Sequence, residues 1–117
     1  MDPIKVLIVE DSVQWHKTYV RALAGKNIQI LSALTIEQAE EMFTSNPDIK
    51  AVVMDACVPG DDPTTLPLTK KFRETFSGPM IAISRRDDFR TRLMTSGCDH
   101  ECPKQDLLQK LCQVLNL

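Results

Sequence analysis

A chain of 117 residues, 43% hydrophobic and 26% charged, has the composition of a folded domain with room for one hydrophobic core, which excludes disordered, fibrous and multidomain readings. Its formal net charge is -2 and its basic residues are spread along the sequence, so no direct nucleic-acid or membrane binding is expected, and the expected partner is another protein. No apolar run approaches the ~20 residues of a membrane helix, Met1-Asp2-Pro3 opens no secretory signal, and the four cysteines form no disulfide framework; one cytoplasmic domain over 1–117 with reduced thiols is predicted.

Ile4 to Val9 is a short β-branched run that stops at Glu10-Asp11-Ser12, as a strand buried on both faces does. Val13, Val20, Leu23 and Ala24 then recur at helical spacing, with Ser12 placed to cap the first turn and Gly25 to end the last. Ile28 to Ser32 reads as a weaker strand. Thr35-x-x-Gln38 is a capping box for a helix with Ile36, Ala39, Met42 and Phe43 inward, closed by Asn46-Pro47. Ala51 to Met54 is the third strand, ending at Asp55 and followed by the turn-rich Val58 to Pro63. Leu66 to Phe76 forms a helix if Pro67 lies in its first turn, and Ser77-Gly78-Pro79 breaks it before a fourth strand, Met80 to Ser84. A helix over Asp88 to Ser96 ends at Gly97, His100 to Cys102 makes a fifth strand, and Leu107, Leu108, Leu111, Val114 and Leu115 mark a last amphipathic helix.

This alternation predicts an α/β fold, a (βα)5 doubly wound parallel sheet with strand order 2-1-3-4-5. In such sheets the site lies outside the carboxyl ends of the strands, which directs attention to Glu10, Asp11, Asp55, Ser84 and Lys104. Three carboxylates at neighbouring strand ends need a cation, and hard oxygen donors with a loop carbonyl such as that of Cys57 suit Mg²⁺. A carboxylate held in line attacks a phosphoryl group when donors neutralise the transferring oxygens, and Ser84 and Lys104 are such donors. One acidic residue at a strand end commonly does no more than cap a helix; an acidic pair, an acid, a hydroxyl and a lysine at one corner carry more weight together than any of them singly.

Ile4 to Ser12 resembles the opening of a response-regulator receiver domain, and Val53-Met54-Asp55-Ala56-Cys57-Val58-Pro59-Gly60-Asp61-Asp62 resembles its phospho-acceptor segment. The resemblance spans the whole chain and implies a flavodoxin-like receiver. It implies that Glu10 and Asp11 hold Mg²⁺ and that Asp55 accepts a phosphoryl group from a sensor histidine kinase or histidine phosphotransfer protein. Ser84 then follows the phosphoryl group during switching, and Lys104, seven residues after Gly97, matches the family's lysine. The output is altered contact with a downstream effector protein or output domain. The protein is no enzyme beyond catalysing its own Mg²⁺-dependent phosphorylation and dephosphorylation.

The chain also departs from that pattern. Arg85-Arg86 follows Ser84 where the family has a small residue, Glu101 stands where the switch aromatic is expected, and Lys104 is preceded by Pro103 and followed by Gln105 rather than proline, so no cis bond is expected before it. These departures favour an alternative, a pseudo-receiver that binds partners without phosphorylation. A flavodoxin-like enzyme is disfavoured because no Gly-rich phosphate loop follows the first strand.

Lesser features have bland and sharp readings. Cys98, His100 and Cys102 offer zinc donors but no full ligand set. Cys57 reads as an inert thiol, its pKa raised by neighbouring carboxylates, against a redox-sensitive one. Arg85, Arg86, Arg90 and Arg92 read either as a solvated helix face or as a surface for an acidic partner. Trp15 and Tyr19, four apart, read as half-buried packing or as an exposed docking pair.

Overall fold

The computed structural model describes residues 2–117. Five strands, β1 (Ile4–Val9), β2 (Ile28–Ala33), β3 (Ala51–Asp55), β4 (Met80–Ile83) and β5 (His100–Cys102), alternate with five helices, α1 (Val13–Ala22), α2 (Ile36–Ser45), α3 (Leu66–Arg73), α4 (Asp87–Ser96) and α5 (Leu107–Leu115). All strand pairs are parallel and the order is β2-β1-β3-β4-β5, the predicted one. The register pairs Val9 with Met54 and Asp55 with Ile83, so β1, β3 and β4 end at about one level.

The continuous apolar runs follow from covering both faces. Successive strand side chains point to opposite sides. Leu7, Val9, Val52, Met54, Met80 and Ala82 pack in one layer with Ala39, Phe72 and Leu93 of α2, α3 and α4. Val6, Ile8, Ala51, Val53, Ile81 and Ile83 pack in the other with Tyr19, Leu107 and Leu111 of α1 and α5. A large aliphatic side chain so buried stabilises the fold by about 1.5–3 kcal/mol.

The expected caps form. Ser12 Oγ accepts from Trp15 N at 3.3 Å. Thr35 Oγ1 accepts from Gln38 N at 3.0 Å while Gln38 Oε1 accepts from Leu34 N at 2.8 Å. Pro67 sits in the first turn of α3, where its missing N–H costs no helical bond. Gly97 has φ of 141° at the end of α4, and a side chain there would meet Arg73 Cβ at 3.0 Å.

Three expectations need correction. The inward face of α1 is not the Val13/Val20 stripe: those two are about half exposed, whereas His16, Tyr19 and Leu23 are buried. The helix is rotated because His16 and Tyr19 carry polar atoms that find partners beneath it, and Val13 and Val20 are left beside Leu34 in an outer groove of about 480 Å³. Helix α3 ends at Arg73, three residues before the expected Phe76: Glu74 N and Thr75 N bond the carbonyls three residues back in tighter turns, and the Arg73 guanidinium donates to Phe76 O, Gly78 O and Gly97 O at 2.9, 2.7 and 2.8 Å, holding the chain that leaves the helix. Ala24 is exposed rather than inward, lying in the turn after the helix.

Candidate functional site

The carboxyl ends of β1 and β3 bring three acids to one corner. Glu10 and Asp55 are buried and Asp11 is partly exposed, and one oxygen of each lies within 4.8 Å of the others. Each acid is held from its own strand end. Glu10 N donates to Ala33 O at 3.0 Å, which extends the β1–β2 pairing by one step, and Glu10 Oε2 accepts from Ser12 N at 3.1 Å. Asp11 Oδ2 accepts from Gly60 N at 3.1 Å, drawing the turn after β3 toward the corner.

Lys104 supplies the opposing charge. Its Nζ donates to Glu10 Oε1 at 2.5 Å and to Asp55 Oδ2 at 3.2 Å, and lies 5.9 Å from the centre of the Trp15 ring. It reaches the corner from a 3-10 turn over Lys104–Asp106, with no cis bond at its own position; Val58-Pro59 is the cis peptide among the described residues. Tyr19 Oη donates to Lys104 O at 3.1 Å and so fixes this loop against α1.

Burial first, and then the facing charge of Glu10, push the Asp55 carboxyl up to about 7, against the opposing pull of Lys104. Burial pulls Lys104 down, but its bond to Glu10 and the charge of Asp55 outweigh that and raise it. Burial followed by the Asp55 charge raises the Cys57 thiol, the direction expected for an unreactive cysteine.

The corner opens into a cleft of about 590 Å³ whose lining includes Ser12, Cys57, Asp61, Ser84 and Arg85 beside the three acids and Lys104. Hard oxygen donors in this number, one edge open to the cleft, fit a divalent cation of the Mg²⁺ kind. Ser84 is buried at its wall, and its Oγ accepts from Arg86 N at 3.2 Å. All of Glu10, Asp11, Asp55, Cys57, Ser84 and Lys104 therefore converge on one cleft.

The other candidates separate. Cys98 packs in the layer of α3 and α4 and Cys102 in the layer of α1 and α5, so they do not share a metal; burial pushes their thiols up to about 12 and about 11. Trp15 and Tyr19 stack at 5.5 Å with Tyr19 buried and Trp15 partly so, the half-buried packing. Two of the four arginines of the cluster are ion-paired with nearby acids: Arg86 with Asp88 at 2.7 Å, and Arg90 with Asp87 and with Glu101 at 3.3 Å.

The sequence gives no separate role to Thr65 or His16, and it presents Arg90 only as one of a basic cluster. Thr65 Oγ1 lies 2.7 Å from Asp55 O and 3.1 Å from Ala56 O, bracing the end of β3 from beneath. His16 Nε2 donates to Glu10 O at 2.7 Å, leaving Nδ1 buried and without a partner among the described residues. A threonine just before a helix with proline in its first turn signals a cap, yet the Thr65 hydroxyl makes no cap bond and turns to the end of β3 instead; a histidine or arginine inside a helix gives no signal at all.

No family model matches the chain, and no curated protein matches it. Solved structures do. A two-component response regulator from Clostridium difficile is 22% identical, with TM-score 0.82 over 97% of this chain and 96% of that one. A CheX-CheY-BeF3-Mg2+ complex from Borrelia burgdorferi is 23% identical, TM-score 0.77, covering 97% and 90%. The complex of the Saccharomyces cerevisiae histidine phosphotransfer protein Ypd1 with the Ssk1 receiver domain is 19% identical, TM-score 0.78, covering 97% and 89%. The chain spans about half, 49%, of a response regulator/GGDEF domain protein that it also matches with TM-score 0.80. Its five-stranded order, its helices and these near-complete superpositions together make this chain a flavodoxin-like α/β domain with the fold of response-regulator receivers.

Proposed function

We propose that this domain, residues 1–117, is a phosphorylatable receiver of a two-component phosphorelay, with Asp55 as acceptor. The observation that carries the reading is the convergence of Glu10, Asp11 and Asp55 within 4.8 Å at the sheet's carboxyl edge, with Lys104 reaching two of them. Glu10, Asp11, Asp55 and the carbonyl of Cys57 would hold Mg²⁺, which when bound would supply the charge neutralisation that lets a carboxylate meet an anionic donor. The residues do the rest. An ionised Asp55 oxygen bonds phosphorus as the phosphorus–nitrogen bond of a donor phosphohistidine breaks, and the departing imidazole nitrogen takes a proton from solvent. Lys104 Nζ and Ser84 Oγ then donate to the phosphoryl oxygens. The buried Thr65 keeps the end of β3, and with it Asp55, in register for in-line attack.

The partners are a sensor histidine kinase or histidine phosphotransfer protein upstream, in keeping with the Ypd1 complex of one structural neighbour. Downstream lies an effector protein or output domain, met by changed protein contacts. Chemistry is confined to the domain's own Mg²⁺-dependent phosphorylation and dephosphorylation, in the cytoplasm. No helix among the described residues is long and apolar enough to cross a membrane.

Incubation with Mg²⁺ and acetyl phosphate, followed by intact-mass measurement, tests this. The mass of one phosphoryl group is gained by the wild type, and the gain is absent without Mg²⁺ and in Asp55→Asn; a folded protein that gains nothing contradicts the reading. One observation favours a pseudo-receiver instead: Lys104 already contacts both Glu10 and Asp55 and offsets part of their charge without a metal. That reading requires a partner affinity identical in wild type and Asp55→Asn, with no phosphoryl gain.

A further inference from the structure

The start of α1 is clipped to the end of β1. Ser12 N donates to Glu10 Oε2 at 3.1 Å, Trp15 N donates to Ser12 Oγ at 3.3 Å, and the His16 ring bonds Glu10 O at 2.7 Å. The Trp15 and Tyr19 rings carried by this stretch are therefore fixed relative to Glu10. They stack with centroids 5.5 Å apart and planes 26° from parallel, Tyr19 buried in the layer of α1 and α5 and Trp15 on the wall of the acidic cleft.

Both rings meet Lys104, at opposite ends of that residue. Tyr19 Oη donates to its carbonyl at 3.1 Å. The ammonium lies over the Trp15 ring, 5.9 Å from its centre, within the about 6 Å at which a ring face attracts a cation. Burial, and then the charge of Glu10, raise the Tyr19 hydroxyl well above its ordinary range, so it stays a donor. Lys104 needs such support. It stands two residues past a strand of three, in a 3-10 turn whose Gln105 and Asp106 are exposed, and a lysine is a point charge on a flexible stem. Glu10 and Asp55 hold the ammonium at 2.5 and 3.2 Å. In the proposed reaction both acids have other tasks, Glu10 as a cation ligand and Asp55 as the nucleophile. The two aromatic contacts depend on neither acid.

We propose that Trp15 and Tyr19 are positioning residues for phosphorylation, bracing Lys104 at its ammonium and its carbonyl so that the charge stays beside Asp55 when the acids release it. This role rests on the phosphorylation reading of Asp55. It gives the stacked pair a task besides packing, and it makes α1 the mount of Lys104 as well as of Glu10.

Tyr19→Phe isolates the hydroxyl, because the ring still stacks and fills the core while Lys104 O keeps its bond from Leu107 N. Two readouts are combined: the rate of phosphorylation by acetyl phosphate with Mg²⁺, from intact mass, and the ε-methylene proton resonance of Lys104 in metal-free protein. A donor this small makes no use of a partner's contacts with Trp15. In the wild type the Trp15 ring current places the Lys104 resonance upfield of the other lysines. Tyr19→Phe and Trp15→Leu each slow phosphorylation by about 5-fold and return the resonance toward the others. Trp15→Phe, which keeps a ring face, recovers part of both. A loss of fold stability alone would leave the Lys104 resonance of the folded protein where it is. Unchanged rates in Tyr19→Phe and Trp15→Leu overturn the brace alone, and so do slowed rates with an unmoved Lys104 resonance. A wild-type Lys104 resonance among those of the other lysines also overturns it. A folded wild type that gains no phosphoryl group overturns the brace together with the phosphorylation reading.

Discussion

Asp55 carries opposite demands. As an acceptor it must be ionised, yet burial and the charge of Glu10 favour its protonated form, and Lys104 offsets only part of this. Its folded pKa lies above the unfolded value, so between the ordinary carboxylate range and about 7 the native state binds more protons than the unfolded chain, and stability falls as pH rises through that window. Asp55→Asn removes the charge. In metal-free buffer above that window it is expected to stabilise the fold by at least about 1.4 kcal/mol, the equivalent of one pKa unit. The gain shrinks as pH falls toward the ordinary carboxylate range, and urea unfolding at several pH values measures it. Thr65 belongs to the same scale. Thr65→Val leaves the buried carbonyls of Asp55 and Ala56 without the hydroxyl and is expected to cost about 1–3 kcal/mol in urea unfolding, with a phosphorylation rate lowered as well.

At the scale of elements, strand legibility came from composition and helix legibility from caps. β1, β3 and β4 fall where their continuous apolar runs lie, because burial on both faces leaves no polar residue to blur them, whereas the edge strands β2 and β5 carry the exposed Gln29 and Glu101. Thr35 and Gln38 announced α2 and formed its cap. Helix α1 misled because hydrophobicity alone chose its face, whereas a histidine and a tyrosine that could bond Glu10 O and Lys104 O took the inward side. Leu23→Ala on the buried side is expected to cost about 2–5 kcal/mol, and Val20→Lys on the exposed side to stay within about 0.5 kcal/mol. Equal costs in thermal or urea unfolding would restore the hydrophobic stripe. The six residues of the site were readable because strand ends fix their level; the brace on Lys104 was not, because positions 15 and 19 lie far along the chain from position 104 and no spacing joins them.

At the scale of the molecule, a doubly wound sheet places its reactive residues at one edge and leaves the helices to carry contacts. The corner of Glu10, Asp11, Asp55 and Lys104 is the part that would hold the cation and take the phosphoryl group of the proposed reaction, and the β4–α4–β5 side is where the chain differs from the family pattern it resembles. Divalent cation binding at that corner relieves the repulsion among the three acids, so Mg²⁺ is expected to raise the melting temperature of the wild type more than that of Asp55→Asn. Equal shifts in a thermal scan would mean that the acids do not share the ion.

The central claim is that Asp55 itself forms the acyl phosphate. Borohydride reduction of protein treated with acetyl phosphate and Mg²⁺ converts an aspartyl phosphate to homoserine, and peptide mapping then locates it. The account predicts homoserine at position 55 and nowhere else; conversion at position 11, or a phosphoryl group that survives as an ester on Ser84, would contradict it.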